Sequence, residues 1–205
     1  MNLRIGILSY HGDVIEHKAA LVQASKELCI PIFVVEVRSK KDISNLHALI
    51  IPGGESNIMY KLSMRFGIFD DLKKIPCIFG TCAGAIMLSR EIEGAEEGQK
   101  SLALIDVKSS RNAYGRQSES FETPLETTLG KLTAIFIRAP KLDALGKSIK
   151  ILSVFNSSAV AIEQETLTTY YLATSFHPEL TSTIFHKHFI KKVIEKSSKI
   201  AVVSN

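Results

Sequence analysis

The chain has 205 residues, of which 45% are hydrophobic and 22% charged. This composition excludes a disordered chain and fits one well-buried domain, which we expect to span residues 1–205. The 25 basic and 21 acidic residues leave a net charge of +4, and this small, scattered excess argues against nucleic acid as a partner. The densest basic stretch, residues 187–199, is interrupted by apolar residues, and this pattern predicts the solvent-exposed face of an amphipathic helix.

Three cysteines, Cys29, Cys77 and Cys82, give no disulfide framework and no zinc-site spacing. The longest apolar runs have the length of strands, so we expect no transmembrane helix and no membrane partner. Residues 1–6 lead directly into a strand pattern rather than a signal peptide. These features predict a cytoplasmic protein, in which Cys29 and Cys77 are buried structural residues and Cys82 remains a thiol.

The first half of the chain alternates apolar runs with helical patterns, which predicts an α/β fold with a mostly parallel sheet covered on both faces. The predicted strands are residues 3–9, 32–37, 48–51 and 76–79, and the predicted helices are residues 14–28, 56–66 and 83–88. Ser56 is a candidate helix cap. Ligands bind at the carboxyl ends of such strands, where three loops fall at residues 9–13, 52–56 and 80–84.

The second half contains short strand patterns with few helices between them, which predicts an antiparallel extension and a closing strand. These strand patterns cover residues 103–107, 133–137, 151–155, 159–162 and 171–174, and a final helix covers residues 183–196. His186 and His188 lie in this helix at positions that do not share a face, so we do not expect them to bind a metal together.

Cys82 lies between Gly80 and Gly84, where a strand passes into a helix. The two glycines allow a tight turn and close packing of the helix on the strand. A helix N-terminus favours the thiolate form of a cysteine, and the amide of Ala83 can donate to an oxyanion. This pattern predicts a nucleophile.

His177 follows the strand at residues 171–174, and Glu179 stands two positions later. In an extended backbone these two side chains point the same way, so the carboxylate can orient the imidazole toward a thiol. Together with Cys82, this spacing predicts a Cys-His-Glu hydrolase.

Two further features suggest a ligand site. Gly53 and Gly54 allow a backbone amide to face an oxyanion, and the segment lacks the ending of a phosphate-binding loop. Arg111 and Arg138 each follow a strand-like run, and arginine is suited to recognising a carboxylate.

At this point the chain resembles the glutaminase subunits of pyridoxal 5′-phosphate synthases, which are triad-type (class I) glutamine amidotransferases. The resemblance covers nearly the whole length and is carried by IPGGES at residues 51–56, FGTCAG at 79–84, RN at 111–112, YGRQ at 114–117, FE at 121–122, FIRAP at 136–140 and SFHPELT at 175–181. It implies a single-domain, flavodoxin-like three-layer fold with a small antiparallel extension.

The resemblance also implies roles for individual residues. Cys82 is the nucleophile, His177 the base and Glu179 its orienting carboxylate, and the amides of Gly54 and Ala83 form the oxyanion hole. The residues implied to bind L-glutamine are Gly54, Glu55, Ser56, Arg111, Ile137 and Arg138. The resemblance implies no metal and no cofactor. It implies a (β/α)₈-barrel synthase subunit as partner, in a large hetero-oligomer that receives the ammonia and makes pyridoxal 5′-phosphate.

The chain departs from the family pattern at two places. Tyr10-His11-Gly12 stands where the family usually has Leu-Gln-Gly, and Asn57-Ile58 stands where it has Thr-Thr. The first departure lies near the expected oxyanion loop and the synthase-facing surface, so we expect His11 to affect activation by the synthase.

Three alternatives stay open. The chain could serve a different synthase, although the two arginine segments argue against this. A PfpI-like cysteine peptidase also has its nucleophile on such a turn, but Ala83 stands where a histidine commonly follows. A catalytically inactive binding subunit is the third, and the complete set of Cys82, His177 and Glu179 argues against it.

Overall fold

The computed structural model describes residues 3–111 and 120–203. Its strands are β1 (Leu3–Leu8), β2 (Ile32–Val37), β3 (Ala48–Ile51), β4 (Cys77–Thr81), β5 (Ser89–Glu93), β6 (Ile105–Ser110), β7 (Phe121–Thr127), β8 (Gly130–Phe136), β9 (Lys141–Ala144), β10 (Lys150–Phe155), β11 (Ser158–Glu165) and β12 (Tyr170–Thr174). Its helices are α1 (Val14–Leu28), α2 (Lys40–Ile43), α3 (Ser56–Arg65), α4 (Phe69–Leu72), α5 (Ala83–Leu88) and α6 (Ile184–Val203), and Pro178–Leu180 form a 3₁₀ turn.

Ten strands form one sheet with the order β2-β1-β3-β4-β12-β11-β9-β6-β5, and β10 pairs with β11. The pairs from β2 to β12 are parallel, while β11 pairs antiparallel with β12, β9 and β10. Strands β7 and β8 form a separate antiparallel pair. This arrangement confirms the mixed α/β fold with a parallel centre and an antiparallel extension.

Alternate side chains of the parallel strands fill two hydrophobic cores, one on each face of the sheet. Ile50 and Phe79 pack on one face with Leu21 of α1 and Phe189 of α6. The neighbouring strand residues point to the opposite face, where they pack with α3, α4 and α5. Every residue of β3, β4 and β12 is buried, as expected for strands covered on both sides.

Several predicted elements require correction. The strand predicted at residues 103–107 begins two residues later, as β6, because Ala103 has a left-handed backbone with φ 55°. Strands β5, β7 and β9 were not predicted, and β7 contains Pro124 within an isolated two-stranded pair. An edge strand tolerates proline because no partner accepts a hydrogen bond on that side.

Three predictions about individual side chains are wrong. Ser56 is the first residue inside α3 rather than its cap, and Glu55 holds the cap position. Cys29 is exposed at the left-handed end of α1, whereas Cys77 is buried as predicted. Lys196 is not on the solvent-exposed face of α6. Its side chain is buried, at 2% exposure, and its ammonium donates to the carbonyl oxygen of Thr166 at 2.7 Å.

Among the described residues, no helix is both long enough and apolar enough to cross a lipid bilayer.

Candidate active site

The three predicted ligand loops meet at the carboxyl ends of β1, β3 and β4, as expected for a parallel sheet. They surround a pocket of about 130 Å³ together with residues from the second half of the chain. The pocket is lined by Asp13, Gly54, Glu55, Ser56, Cys82, Ala83, Ile86, Arg111, Ile137, Arg138 and His177. The predicted site residues therefore lie together, apart from Glu179, which is buried behind His177.

Cys82 occupies the sharp turn between β4 and α5. Its backbone has φ 49° and ψ −104°, a strained conformation for a residue with a side chain. The turn is held by its amide, which donates to the carbonyl oxygen of Thr174 at 2.8 Å. Because α5 begins at the next residue, the thiol lies at the N-terminal end of a helix.

The glycines beside Cys82 permit this turn. A Cβ atom on Gly84 would lie 1.9 Å from the carbonyl oxygen of Ile51, and one on Gly80 would lie 2.5 Å from the backbone of Gly84. These distances leave no room for a side chain between α5 and strands β3 and β4. The predicted reason for the two glycines, close packing of helix and strand, is confirmed.

His177 reaches the pocket from the end of β12, the strand next to β4. Its Nδ1 atom lies 2.8 Å from Oε1 of Glu179. The predicted contact is present, but its predicted cause is wrong, because Pro178–Leu180 form a 3₁₀ turn rather than an extended chain. The turn brings the carboxylate back under the imidazole, and Glu179 is buried there.

Asp13, which was not predicted as a site residue, also contacts the same imidazole. Its Oδ2 atom lies 3.0 Å from Nδ1 of His177, so two carboxylates share one N–H donor. The ligand-type atoms of Asp13, His177 and Glu179 lie within 4.8 Å of one another. Both carboxylates lie within 3.0 Å of this one nitrogen, so together they fix the position of the imidazole.

Electrostatics favour a protonated His177. Burial alone lowers the pKa of this imidazole, but the side chains of Asp13, Cys82 and Glu179 outweigh that effect and raise its pKa. Burial raises the pKa of the Glu179 carboxyl, and its contact with His177 acts in the opposite direction. The hydrogen bond to His177 lowers the pKa of Asp13. This environment favours the imidazolium form of His177 beside Cys82.

The thiol of Cys82 donates to the carbonyl oxygen of Ile137 at 3.6 Å. The Nε2 atom of His177 is buried and has no hydrogen-bond partner within residues 3–111 and 120–203. Nε2, the ring nitrogen that does not contact Glu179, is therefore available to exchange a proton with the neighbouring thiol.

The other end of the pocket combines one carboxylate with two guanidinium groups. Glu55 contacts Arg138 at 2.8 Å and Arg111 at 3.4 Å. Arg138 has a left-handed backbone with φ 46°, which turns its side chain at the point where β8 has ended. The remaining predicted segment, residues 112–117, lies outside the described residues beyond Arg111.

A loop that the sequence analysis missed supports this end of the pocket. Gln99 donates to Oγ of Ser56 at 3.1 Å and accepts from Arg111 at 3.5 Å. Asn57, one of the two departures from the family pattern, donates to Glu96 of the same loop. The other departure, His11, accepts a hydrogen bond from the amide of Glu55 at 3.3 Å and packs against Gly54.

The fold and these residues have the arrangement of a cysteine hydrolase, with Cys82, His177 and Glu179 side by side at one end of a pocket that carries charged groups at the other. The model of the SNO glutamine amidotransferase family matches residues 7–195, and the chain belongs to this family.

Individual relatives agree with this assignment. The chain is 39% identical over 201 residues to the pyridoxal 5′-phosphate synthase subunit PdxT of Pyrococcus horikoshii, covering 94% of this chain and all of the relative. It is 41% identical over 189 residues to the same subunit of Ignicoccus hospitalis, covering 88% and 93% of the two chains. A crystal structure described as a glutamine amidotransferase is 41% identical, with a TM-score of 0.79 over 92% of this chain and 98% of that one.

Proposed function

We propose that this chain hydrolyses L-glutamine to L-glutamate and ammonia and that residues 1–205 act as one glutaminase domain. The observation that carries the proposal is the pocket in which Cys82 and His177 share one cavity with Glu55, Arg111 and Arg138. A nucleophile alone would fit many hydrolases. The carboxylate and the two guanidinium groups match the ammonium and carboxylate of an amino acid.

In the first half-reaction, the Cys82 thiolate attacks the side-chain amide carbon of glutamine. The amides of Gly54 and Ala83 stabilise the resulting oxyanion. The C–N bond then breaks, and ammonia leaves with a proton from the His177 imidazolium. The product on the enzyme is a thioester between Cys82 and the glutamyl group.

In the second half-reaction, neutral His177 takes a proton from water, which attacks the thioester. The C–S bond breaks, glutamate leaves, and Cys82 returns to its starting state. Glu179 stays ionised and keeps the imidazole in place throughout. We assign substrate binding to Gly54, Glu55, Ser56, Arg111, Ile137 and Arg138, with the guanidinium groups facing the α-carboxylate.

We further propose that the ammonia passes to a pyridoxal 5′-phosphate synthase subunit with a (β/α)₈-barrel fold, in a large hetero-oligomer. The names of the PdxT relatives and their near-complete coverage support this partner. The nucleophile requires a reduced thiol, so we place the activity in the cytoplasm.

The test measures glutamate released from glutamine by the purified chain, with and without its cognate synthase. We expect release in the presence of the synthase and at least a 10³-fold loss in Cys82→Ala, which has no nucleophile. Circular dichroism and thermal melting establish that the variant is folded. Absence of glutamate from the folded wild-type protein in both conditions contradicts the proposed activity. Activity that a different synthase stimulates more strongly instead supports the alternative partner.

A further inference from the structure

Behind the triad lies a second group of polar side chains that the proposed reaction does not use. His17 of α1, His186 of α6 and Thr81 of β4 are all 0% exposed. The Nδ1 atom of His17 lies 3.0 Å from Nε2 of His186, and its Nε2 atom lies 3.0 Å from Oγ1 of Thr81. The same Nε2 atom is 3.5 Å from Oε1 of Glu179.

Both histidines are neutral. Burial, followed by the neighbouring His186 and His177, holds the pKa of His17 well below its usual value. Burial lowers the pKa of His186 to about 3. Each ring therefore carries one N–H, and the hydrogen bond between them can be formed in either direction.

The buried atoms without a partner decide which of the two histidines donates the hydrogen bond. If His17 donated through Nδ1, the N–H of His186 would be on its Nδ1 atom, which is buried with no hydrogen-bond partner in the described part of the chain. A buried donor without a partner costs about 1–3 kcal/mol. The lone pair of His17 Nε2 would also face the Glu179 carboxylate.

In the opposite direction Nδ1 of His186 carries a lone pair instead of an unpaired N–H, and an N–H of His17 faces the carboxylate. His186 then donates from Nε2 to Nδ1 of His17, and the N–H of His17 is on Nε2. This N–H donates to Thr81, and its dipole points a positive end toward the carboxylate. At 3.5 Å the contact with Glu179 is long for a hydrogen bond, so it acts mainly through this dipole.

We propose that His17, held as its Nε2–H tautomer by His186, is a positioning residue that keeps Glu179 ionised and aligned beneath His177. The inference rests on the proposed function only in that Glu179 serves the triad. Glu179 needs this support because it is buried and its Oε2 atom has no partner in residues 3–111 and 120–203. The titratable groups that face the pair formed by Glu179 and His177 are Asp13, His17 and Cys82, with His186 behind His17.

His17 is also connected to Cys82 through the backbone. Thr81, which accepts from His17, directly precedes Cys82 in the chain. Helices α1 and α6 are thereby connected to the residue before the nucleophile through side chains that the solvent does not reach. The imidazole of His17 acts through Glu179 and Thr81, which do not line the pocket, so we do not assign it a direct catalytic role.

Two measurements test the proposal, and neither uses glutamine or the synthase, so their failure is distinct from failure of the proposed function. The first is long-range ¹H–¹⁵N NMR of the wild-type chain, which reports the tautomer of each histidine. We expect Nε2–H for both His17 and His186. Protonation of His17 on Nδ1 overturns the proposal.

The second measurement is the pH dependence of Cys82 alkylation by iodoacetamide in His17→Leu and His17→Gln. Leucine removes the N–H, whereas the glutamine amide can present one at a similar position. Loss of this dipole destabilises the ionised form of Glu179 and therefore the imidazolium of His177 beside the thiol, so we expect alkylation of Cys82 to slow. At pH 6 we expect alkylation about three- to tenfold slower in His17→Leu, the effect of one weak polar contact, and recovery to within about twofold in His17→Gln.

A general loss of packing would slow alkylation equally in His17→Leu and His17→Gln, because both variants lack the imidazole. Equal alkylation profiles for wild type and folded His17→Leu, or equal impairment of both variants, overturn the proposal. If His17→Leu does not fold, the NMR measurement of the His17 tautomer in the wild-type chain still tests the proposal.

Discussion

Gly53→Ala provides a direct test of how closely the site is packed around the base. A Cβ atom on residue 53 would lie 2.3 Å from Cε1 of His177 and 2.7 Å from Oδ2 of Asp13. Carbon atoms pack at about 3.5 Å or more, so the imidazole must move by about 1 Å. The obstacle is a pair of side chains rather than backbone, which allows the chain to fold with His177 displaced.

A displacement of this size costs about 100-fold in rate when it moves a reacting group. We therefore expect kcat for glutamate release, measured with the synthase, to fall about 100-fold. KM for glutamine should change by less than about threefold, because the added methyl group does not touch Arg111 or Arg138. The overpacking should cost about 1–3 kcal/mol of stability, which lowers the melting temperature by several degrees, at about 2–4 °C per kcal/mol.

Gly146→Ala is the matched control. The three atoms nearest to its Cβ would all belong to the side chain of Asp106, the first at 2.7 Å, and both residues are distant in sequence from Cys82, His177 and Glu179. We expect this variant to keep wild-type kcat and to show a similar or smaller change in melting temperature. A kcat for Gly53→Ala within threefold of wild type would refute the inference that the space beside His177 limits its position.

Two other predictions concern activation and acid stability. His11→Gln should change the stimulation of glutaminase activity by the synthase by at least about threefold. The reason is that it alters a hydrogen bond of about 1 kcal/mol to the amide of Glu55, beside Gly54. Equal stimulation ratios for wild type and His11→Gln argue against this prediction. Burial of Glu163 opposes ionisation, but His188, Lys150 and Tyr170 outweigh it and lower its pKa from 4.5 to about 2. A lowered folded-state pKa contributes stability that is present above about pH 4.5 and lost as the pH falls toward 2. Glu163→Gln should therefore lower the free energy of unfolding at pH 7 and flatten its dependence on pH between 5 and 2, as measured by urea titration; an unchanged slope contradicts this account.

The parallel half of the fold could be predicted well because its strands are short apolar runs with clear breaks. The bounds predicted for β2, β3, α1 and α5 agree with the structure. The part of the sheet beyond β11 was less predictable, because β5 and β9 carry charged residues and are short. Their pairing depends on strands distant in sequence, which local patterns do not reveal.

The proximity of Cys82, His177 and Glu179 could be predicted from sequence, but their surroundings could not. The contact of Asp13 with His177 depends on how the loop before α1 meets the end of β12, more than 160 residues later in the chain. A signal for His17 was present, because it lies on the same helical stripe as the buried Leu21 and Ala24. A histidine on an apolar stripe needs a buried partner, and only the tertiary structure identifies His186 and Thr81 as those partners.

The position of β12 has a consequence for how activity arises during synthesis. This strand inserts between β4 and β11, and Thr174 pairs with Thr81 beside the nucleophile. A growing chain that has emerged only as far as α5 already contains the thiol but lacks the base. Glutamine turnover therefore begins only after the C-terminal segment has entered the middle of the sheet. Recovery of activity during refolding is thus a direct reporter of completion of the sheet.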